Sequence, residues 1–230
     1  MSCCSAIGNS DAQLQQDHLP FLSLRRLLET AYAERRSCIR SRLEEFALVG
    51  TEPESTFYEL CYCLCTPGTK ARHAIAVMTE LRQRCFYHRP IPAAQLEAIL
   101  RMPSHYIRFH RTKARRLAKL HSIFPTVWQI LYRDTPASER RRCLVDLVEG
   151  LGMKEASHFL RNTGVRGIAV LDRHVIFWMQ QFGFPVRLPR NATEYEQTEA
   201  LFFRFAEQLA ILPEELDLLL WSLSTGEVLR

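Results

Sequence analysis

Lysine is scarce in this sequence: Lys70, Lys113, Lys119 and Lys154 stand against 26 arginines. Arginine keeps its proton and cannot form an imine, so covalent amine chemistry is confined to four positions. Cysteine is ample but not arranged as a ligand set. None of the eight follows Cys143, and no C-x-x-C pair offers a zinc or redox site, so no metal and no cofactor is expected. Cys61, Cys63 and Cys65 alternate within an apolar stretch and read as small core residues. No apolar run approaches the roughly 18 residues of a membrane span. The opening Met1-Ser2-Cys3-Cys4-Ser5 lacks the basic start and apolar core of a secretion signal. An intracellular protein is expected, cytoplasmic or at the nucleoid, with thiols reduced and no membrane contact.

What the chain does have is a core-forming composition and a segregated charge. With 47% apolar residues over 230, it can bury a core as one large domain or two small lobes. Residues 1–60 carry 6 basic and 9 acidic side chains; residues 191–230 carry 2 and 8. Residues 61–190 carry 22 basic and 8 acidic, a net of +14. A field of that sign and density suits a phosphate backbone, the alternative being a merely solvated face.

Periodicity points to an all-α chain without internal repeats. Residues 1–17 are polar and aperiodic and read as a disordered tail, leaving 18–230 as the folded domain. Leu22, Leu24, Leu27, Leu28, Ile39, Leu43 and Leu48 recur at helical spacing. Thr56-Phe57-Tyr58-Glu59 has the form of a capping box opening the next helix. Further helices are expected over 70–85 and 93–101, with a basic one over 107–123 carrying Arg108 and Lys113 among its cations. Ser138 would cap a helix over 139–148, and a hairpin at about 139–164 would pair it with a helix from Met153 to Asn162. Asp172 stands where an N-cap belongs, and two more helices fill 193–222. Only 168–171 reads as extended.

The chemistry concentrates at Val148-Glu149-Gly150-Leu151-Gly152-Met153-Lys154. Two glycines one residue apart make a tight hairpin that a ligand can approach closely, because neither carries a Cβ. The helix that follows presents unpaired amides and a positive dipole end to an anion such as a phosphate. Lys154 lies in its first turn, where that positive end favours the neutral, nucleophilic amine. Asp172 follows eighteen positions later. Lys154 can also be read as a phosphate contact, and Asp172 as a cap without chemistry.

Gly150-Leu-Gly-Met-Lys-Glu-Ala-Ser-His-Phe-Leu-Arg-Asn-Thr-Gly164, followed by Ala169-Val-Leu-Asp-Arg-His174, resembles the helix-hairpin-helix DNA glycosylases. The resemblance is to the archaeal-type 8-oxoguanine DNA glycosylase/AP lyases, the second Ogg class. It extends to Leu60–Pro67, Ile107–His110 with Lys113-Ala114, and Leu218–Arg230. It implies a two-lobed helical fold without an iron–sulfur cluster, the hairpin lying at the mouth of a cleft. It places the catalytic lysine on Lys154 and the catalytic aspartate on Asp172. It also implies backbone contacts from Gly150, Gly152, Arg108 and Lys113, and a base pocket using Trp221 and Arg230. The implied activity is excision of 8-oxoguanine through a lysine Schiff base, then strand cutting by β-elimination. The partner would be double-stranded DNA with a damaged base or an abasic site, bound by a monomer. Two alternatives stand beside it: a non-catalytic hairpin module that grips DNA, and a monofunctional glycosylase for another lesion. From position alone Trp221 reads as core before base platform, and His158 and His174 as structural.

Overall fold

The computed structural model describes the backbone of residues 10–226 and the side chains of residues 22–226. Among the described residues there are eleven α-helices and no strand. The first half contains α1 (Ser10–Thr51), α2 (Pro53–Cys65), α3 (Ala71–Gln83), α4 (Ala93–Leu100), α5 (His110–Ala118) and α6 (Leu120–Leu131). The second contains α7 (Ala137–Leu147), α8 (Met153–Asn162), α9 (Arg173–Gln181), α10 (Ala192–Leu209) and α11 (Pro213–Thr225). No described helix is long and apolar enough to cross a membrane.

The apolar residues gather into two cores. One is built from α2 to α8 and ends at Ile168. The other begins at Ala169, takes α9 to α11, and recruits Leu28, Ile39 and Phe46 from α1. The boundary therefore falls between two adjacent residues, and residues 168–172 are the crossing. α1 belongs to the second lobe although it comes first in sequence. Cys61, Cys63 and Cys65 are fully buried in the first core, as their alternation suggested.

Two buried ion pairs and one close backbone approach fasten the lobes. Arg141 on α7 reaches Glu199 on α10 through two parallel bonds of 2.6 and 2.7 Å, both side chains buried. Arg161 on α8 meets Asp217 on α11 at 2.6 Å, again buried. At the end of α1, a Cβ on Gly50 would lie 2.1 Å from the Thr163 carbonyl oxygen, so only glycine lets α1 rest against α8 there. Tyr132 Oη donates to the Gly50 carbonyl at 2.6 Å and closes the contact.

Several helix boundaries depart from the sequence expectation. α1 starts at Ser10, inside the segment read as a tail; residues 1–9 lie outside the described residues. α2 starts at Pro53, whose fixed φ suits a first helical position. Thr56 is therefore interior to the helix, and its hydroxyl donates to Val49 O instead of capping. Ser138 likewise lies inside α7, which follows Pro136 and has no side-chain cap. The expected basic helix over 107–123 is two helices parted at Lys119, and its first turn is missing because Phe109 takes a left-handed φ of 61°.

The crossing at 168–171 is extended but pairs with no strand. Side chains satisfy its backbone: Ala169 N–H donates to Glu199 Oε1 (2.9 Å), Tyr195 Oη donates to Ala169 O (2.7 Å), and Leu171 N–H donates to Tyr195 Oη (3.1 Å). Removing Arg141 strands the Glu199 carboxylate in a dry interior. Arg141→Met is expected to lower unfolding stability by about 3–5 kcal/mol, the usual cost of leaving one buried ion unpaired. Denaturant titration checks this, and a loss below about 1 kcal/mol would mean water reaches Glu199.

Candidate active site

A cleft of about 670 Å³ opens between the lobes, and the structure brings Lys154, Asp172 and Trp221 to it. Each arrives for a local reason. Asp172 is the N-cap of α9: its Oδ1 accepts from His174 N–H (2.8 Å) and Val175 N–H (3.0 Å). Those bonds, with the tight turn from Asp172 N–H to Val170 O at 2.9 Å, hold the carboxylate still at the end of the crossing. Trp221 rides on α11, anchored by Leu218, Leu219 and Leu220 in the second core, and is only half-buried. Lys154 is half-buried in the first turn of α8, where its ammonium lies 3.3 Å from Glu155 Oε1.

The hairpin between α7 and α8 has the expected backbone. Gly150 takes a φ of +92°, a region other residues avoid, and a Cβ there would strike the Arg116 guanidinium at about 2.4 Å. Gly152 is the N-cap of α8 and offers no side chain to its first-turn amides, which are left to solvent or an anion. The tip residue Glu149 is held by Lys119 at 2.6 Å and Arg116 at 3.7 Å. The Lys119 hydrogen bond, then its charge, holds the Glu149 carboxyl below the usual carboxylate range.

Behind the cleft wall lies a second acid. Asp217 is buried, and burial pushes its carboxyl up to about 6; the Arg161 guanidinium opposes this and the Asp172 charge adds to it. Arg161 continues the chain of contacts to Asn162 Oδ1 (3.1 Å), and Asn162 Nδ2 donates to the buried Glu59 at 2.7 Å. His158 also lines the cleft, edge-on to the Tyr62 ring.

Two expected contacts change meaning. Lys113 is not available to a phosphate: it is 2% exposed, and its ammonium points inward to Cys65 O, Pro67 O and Thr69 Oγ1. The positive charge belonged to a helix face, but this position of α5 is the buried one. Arg108 is exposed as expected and stacks on the Phe109 ring at 4.7 Å, next to Gly68 on the cleft wall. Arg230 lies outside the described residues. Sequence reading passed over Lys70, which shares the cleft with Lys154, and Glu155, Arg161 and Asp217. Glu155 and Arg161 stand within the Gly150–Gly164 stretch, but its spacing gives neither a role; Lys70 is marked only as one of the four amines, and Asp217 belongs to no motif.

A cleft between two helical lobes, lined by a lysine that follows a glycine hairpin and by a capped aspartate, is the arrangement that the resemblance to the helix-hairpin-helix DNA glycosylases implied. The comparisons then fix the family. A family model described as 8-oxoguanine DNA glycosylase, of the Ogg helix-hairpin-helix type, matches residues 39–211. The 8-oxoguanine DNA glycosylase/AP lyase of Thermoplasma volcanium is 31% identical over 84% of this chain and 91% of its own. The enzyme of the same name from Methanocaldococcus jannaschii is 29% identical over 90% and 99%. Among solved structures, the 8-oxoguanine DNA glycosylase of Thermotoga maritima superposes with a TM-score of 0.81 at 30% identity, covering 91% of this chain and all of that one. The M. jannaschii 8-oxoguanine glycosylase/lyase bound to a 15-mer containing 8-oxoguanine gives 0.79 at 28%, covering 90% and 100%. The chain belongs to the 8-oxoguanine DNA glycosylase family.

Proposed function

We propose that this chain excises 8-oxoguanine from duplex DNA and then cuts the strand, with Lys154 as nucleophile and Asp172 as its electrostatic partner. The observation that carries the reading is the meeting of Lys154, from the first lobe, with Asp172, from the crossing, in one cleft walled by Trp221. A base stacked in a duplex is out of reach, so the nucleotide is extruded into that cleft at a cost of a few kcal/mol. The Trp221 ring gives the purine a flat wall. Arg230, which lies outside the described residues, is assigned the base edge on the resemblance alone.

The neutral Lys154 amine attacks C1′, forming the Nζ–C1′ bond as the C1′–N9 bond breaks. The electron pair leaves on the purine, which takes up a proton. Positive charge grows on the sugar during this step, and a carboxylate fixed by two amide bonds stabilises it without reorganising. Loss of one amine proton and cleavage of the C1′–O4′ bond, the ring oxygen taking up a proton, give the protonated imine. The imine acidifies the C2′ proton; its removal expels the 3′ phosphate, and water then releases Lys154. The first-turn amides of α8, with Gly150 and Gly152, hold the flanking phosphate, and Arg108 a second one.

Borohydride with an 8-oxoguanine duplex should trap a covalent complex, lost in Lys154→Gln and kept in Lys70→Gln. Undiminished trapping by Lys154→Gln would remove the nucleophile from that position. No trapping by the wild type would leave a monofunctional glycosylase or a binding module. Asp172→Asn keeps an N-cap acceptor but not the charge. Its affinity for lesion DNA should hold while excision slows by about 10²–10³-fold, the usual effect of removing one transition-state electrostatic contact. Unchanged turnover would leave Asp172 a cap alone. Glu149 occupies two cations beside the hairpin, so Glu149→Gln should tighten DNA binding. It should also steepen the log–log salt dependence by about 1–2, one step per phosphate newly met. Equal slopes in both proteins would mean Lys119 and Arg116 never face the backbone.

A further inference from the structure

Lys113 is a lysine inside the protein with no carboxylate to pair with. Its three ammonium protons go to Cys65 O (2.7 Å), Pro67 O (2.7 Å) and Thr69 Oγ1 (3.3 Å). Cys65 ends α2, where the last carbonyls lack helical partners and carry the negative dipole end. Pro67 and Thr69 belong to the turn joining α2 to α3. That turn forms part of the cleft: Thr66, Gly68, Thr69 and Lys70 line it together with Lys154 and Asp172.

The turn has little else to fix its shape. None of residues 66–70 is buried; helical bonds tie its two ends (Thr66 N–H to Tyr62 O, His73 and Ala74 N–H to Lys70 O), and between them stand Thr69 N–H to Thr66 O (2.9 Å) and Thr66 Oγ1 to Cys63 O (3.0 Å). A buried cation without a counter-ion is a costly way to hold a loop. It is retained where the loop's conformation matters.

We propose that Lys113 is a positioning residue for base excision, its ammonium clamping the Thr66–Lys70 turn into the wall against which the extruded nucleotide seats. This rests on the excision activity proposed above and adds a determinant of it remote from the reacting atoms. Burial lowers the Lys113 amine to about 8. The groups facing it are few: Cys65, whose thiol burial pushes up to about 12, Arg116 on α5 itself, and Glu155 on α8. On the adjoining α4, Glu97 is engaged with Arg111 and His110. Above that pH the amine keeps two protons for three acceptors and loses its charge, so the clamp slackens. The sign is opposite to that expected of any amine nucleophile, whose reactive form is the neutral one.

Single-turnover rates test this from about pH 6.5 to 9.5, on an 8-oxoguanine duplex and on a duplex with a preformed abasic site. Excision should decline with a midpoint near 8, while abasic-site cleavage, which seats no base, should not. Lys113→Met should lose that alkaline decline and excise about 10- to 100-fold more slowly at neutral pH, the range expected when a reacting group is misplaced by about 1 Å. Its abasic-site cleavage should stay within about threefold of the wild type. Should the variant fail to fold by circular dichroism, Thr69→Val, which removes one acceptor, must depress the same excision-to-cleavage ratio. A wild type without a declining limb, or variants with an unchanged ratio, overturns the role of Lys113. A wild type inactive on both duplexes overturns the proposed function instead.

Discussion

The contact on which the rest depends is the buried Arg141–Glu199 pair. Two apolar cores meet at a peptide bond between Ile168 and Ala169, and nothing in the crossing itself is rigid: it has no helix and no strand partner. Its shape is borrowed from Glu199, whose Oε1 takes both Arg141 and the Ala169 amide, and from Tyr195, which brackets Ala169 and Leu171. The Arg141 guanidinium lies 5.0 Å over the Tyr195 ring, so the three side chains form one unit. Burial pushes the Tyr195 hydroxyl well above its ordinary value, so it stays a neutral donor and acceptor. A buried ion pair is weak evidence of net stability, but it is exacting about geometry. Here the geometry is the placing of Asp172, one residue past the bracket.

The second pair, Arg161–Asp217, acts at the cleft itself. Asp217 lines the same space as Asp172, whose charge adds to the burial that raises the Asp217 carboxyl. Arg161 settles the balance from the first lobe, so the electrostatics of the cleft depend on both lobes being docked. The glycine contact between Gly50 and Thr163 sets how close that docking is. A shift of the lobes would separate Lys154 from Asp172 and unpair Arg161 in the same movement.

How much of this was legible follows from the range of the interactions. The hairpin and Asp172 as an N-cap are set by residues within a turn of one another, so spacing reveals them; the apolar spacing of α1 is a weaker guide, since Leu28 and Ile39 are buried while Leu22, Leu27 and Leu48 stay exposed. The fasteners join residues 58, 56 and 48 apart, Arg141 to Glu199, Arg161 to Asp217 and Lys113 to Cys65, and no local period marks such pairs. Thr56 and Ser138 were misread as caps for a related reason. A proline upstream of each had already begun the helix, and the hydroxyl signal is only a preference that a fixed φ overrides. Lys113 stands among the cations of a basic stretch, and charge alone does not say which face it takes; α5 turns Lys113, Ala114 and Leu117 inward.

The four lysines occupy four environments, and this accounts for their scarcity. Lys119 is exposed and tied to Glu149 at the hairpin tip; Lys70 is exposed at the cleft; Lys113 is enclosed among carbonyls; Lys154 is half-buried beside Glu155 and shares the cleft with Asp172. An amine that can lose a proton is an asset at one position and a hazard at others, since any neutral amine near an open-chain aldehyde competes for it. Arginine supplies the same positive field without that reactivity, because its guanidinium stays protonated. A basic surface made chiefly from arginine can therefore meet an aldehyde-bearing strand without condensing with it. The chemistry is left to whichever amine the cleft presents, and the enclosure of Lys113 removes one competitor while giving the cleft its wall.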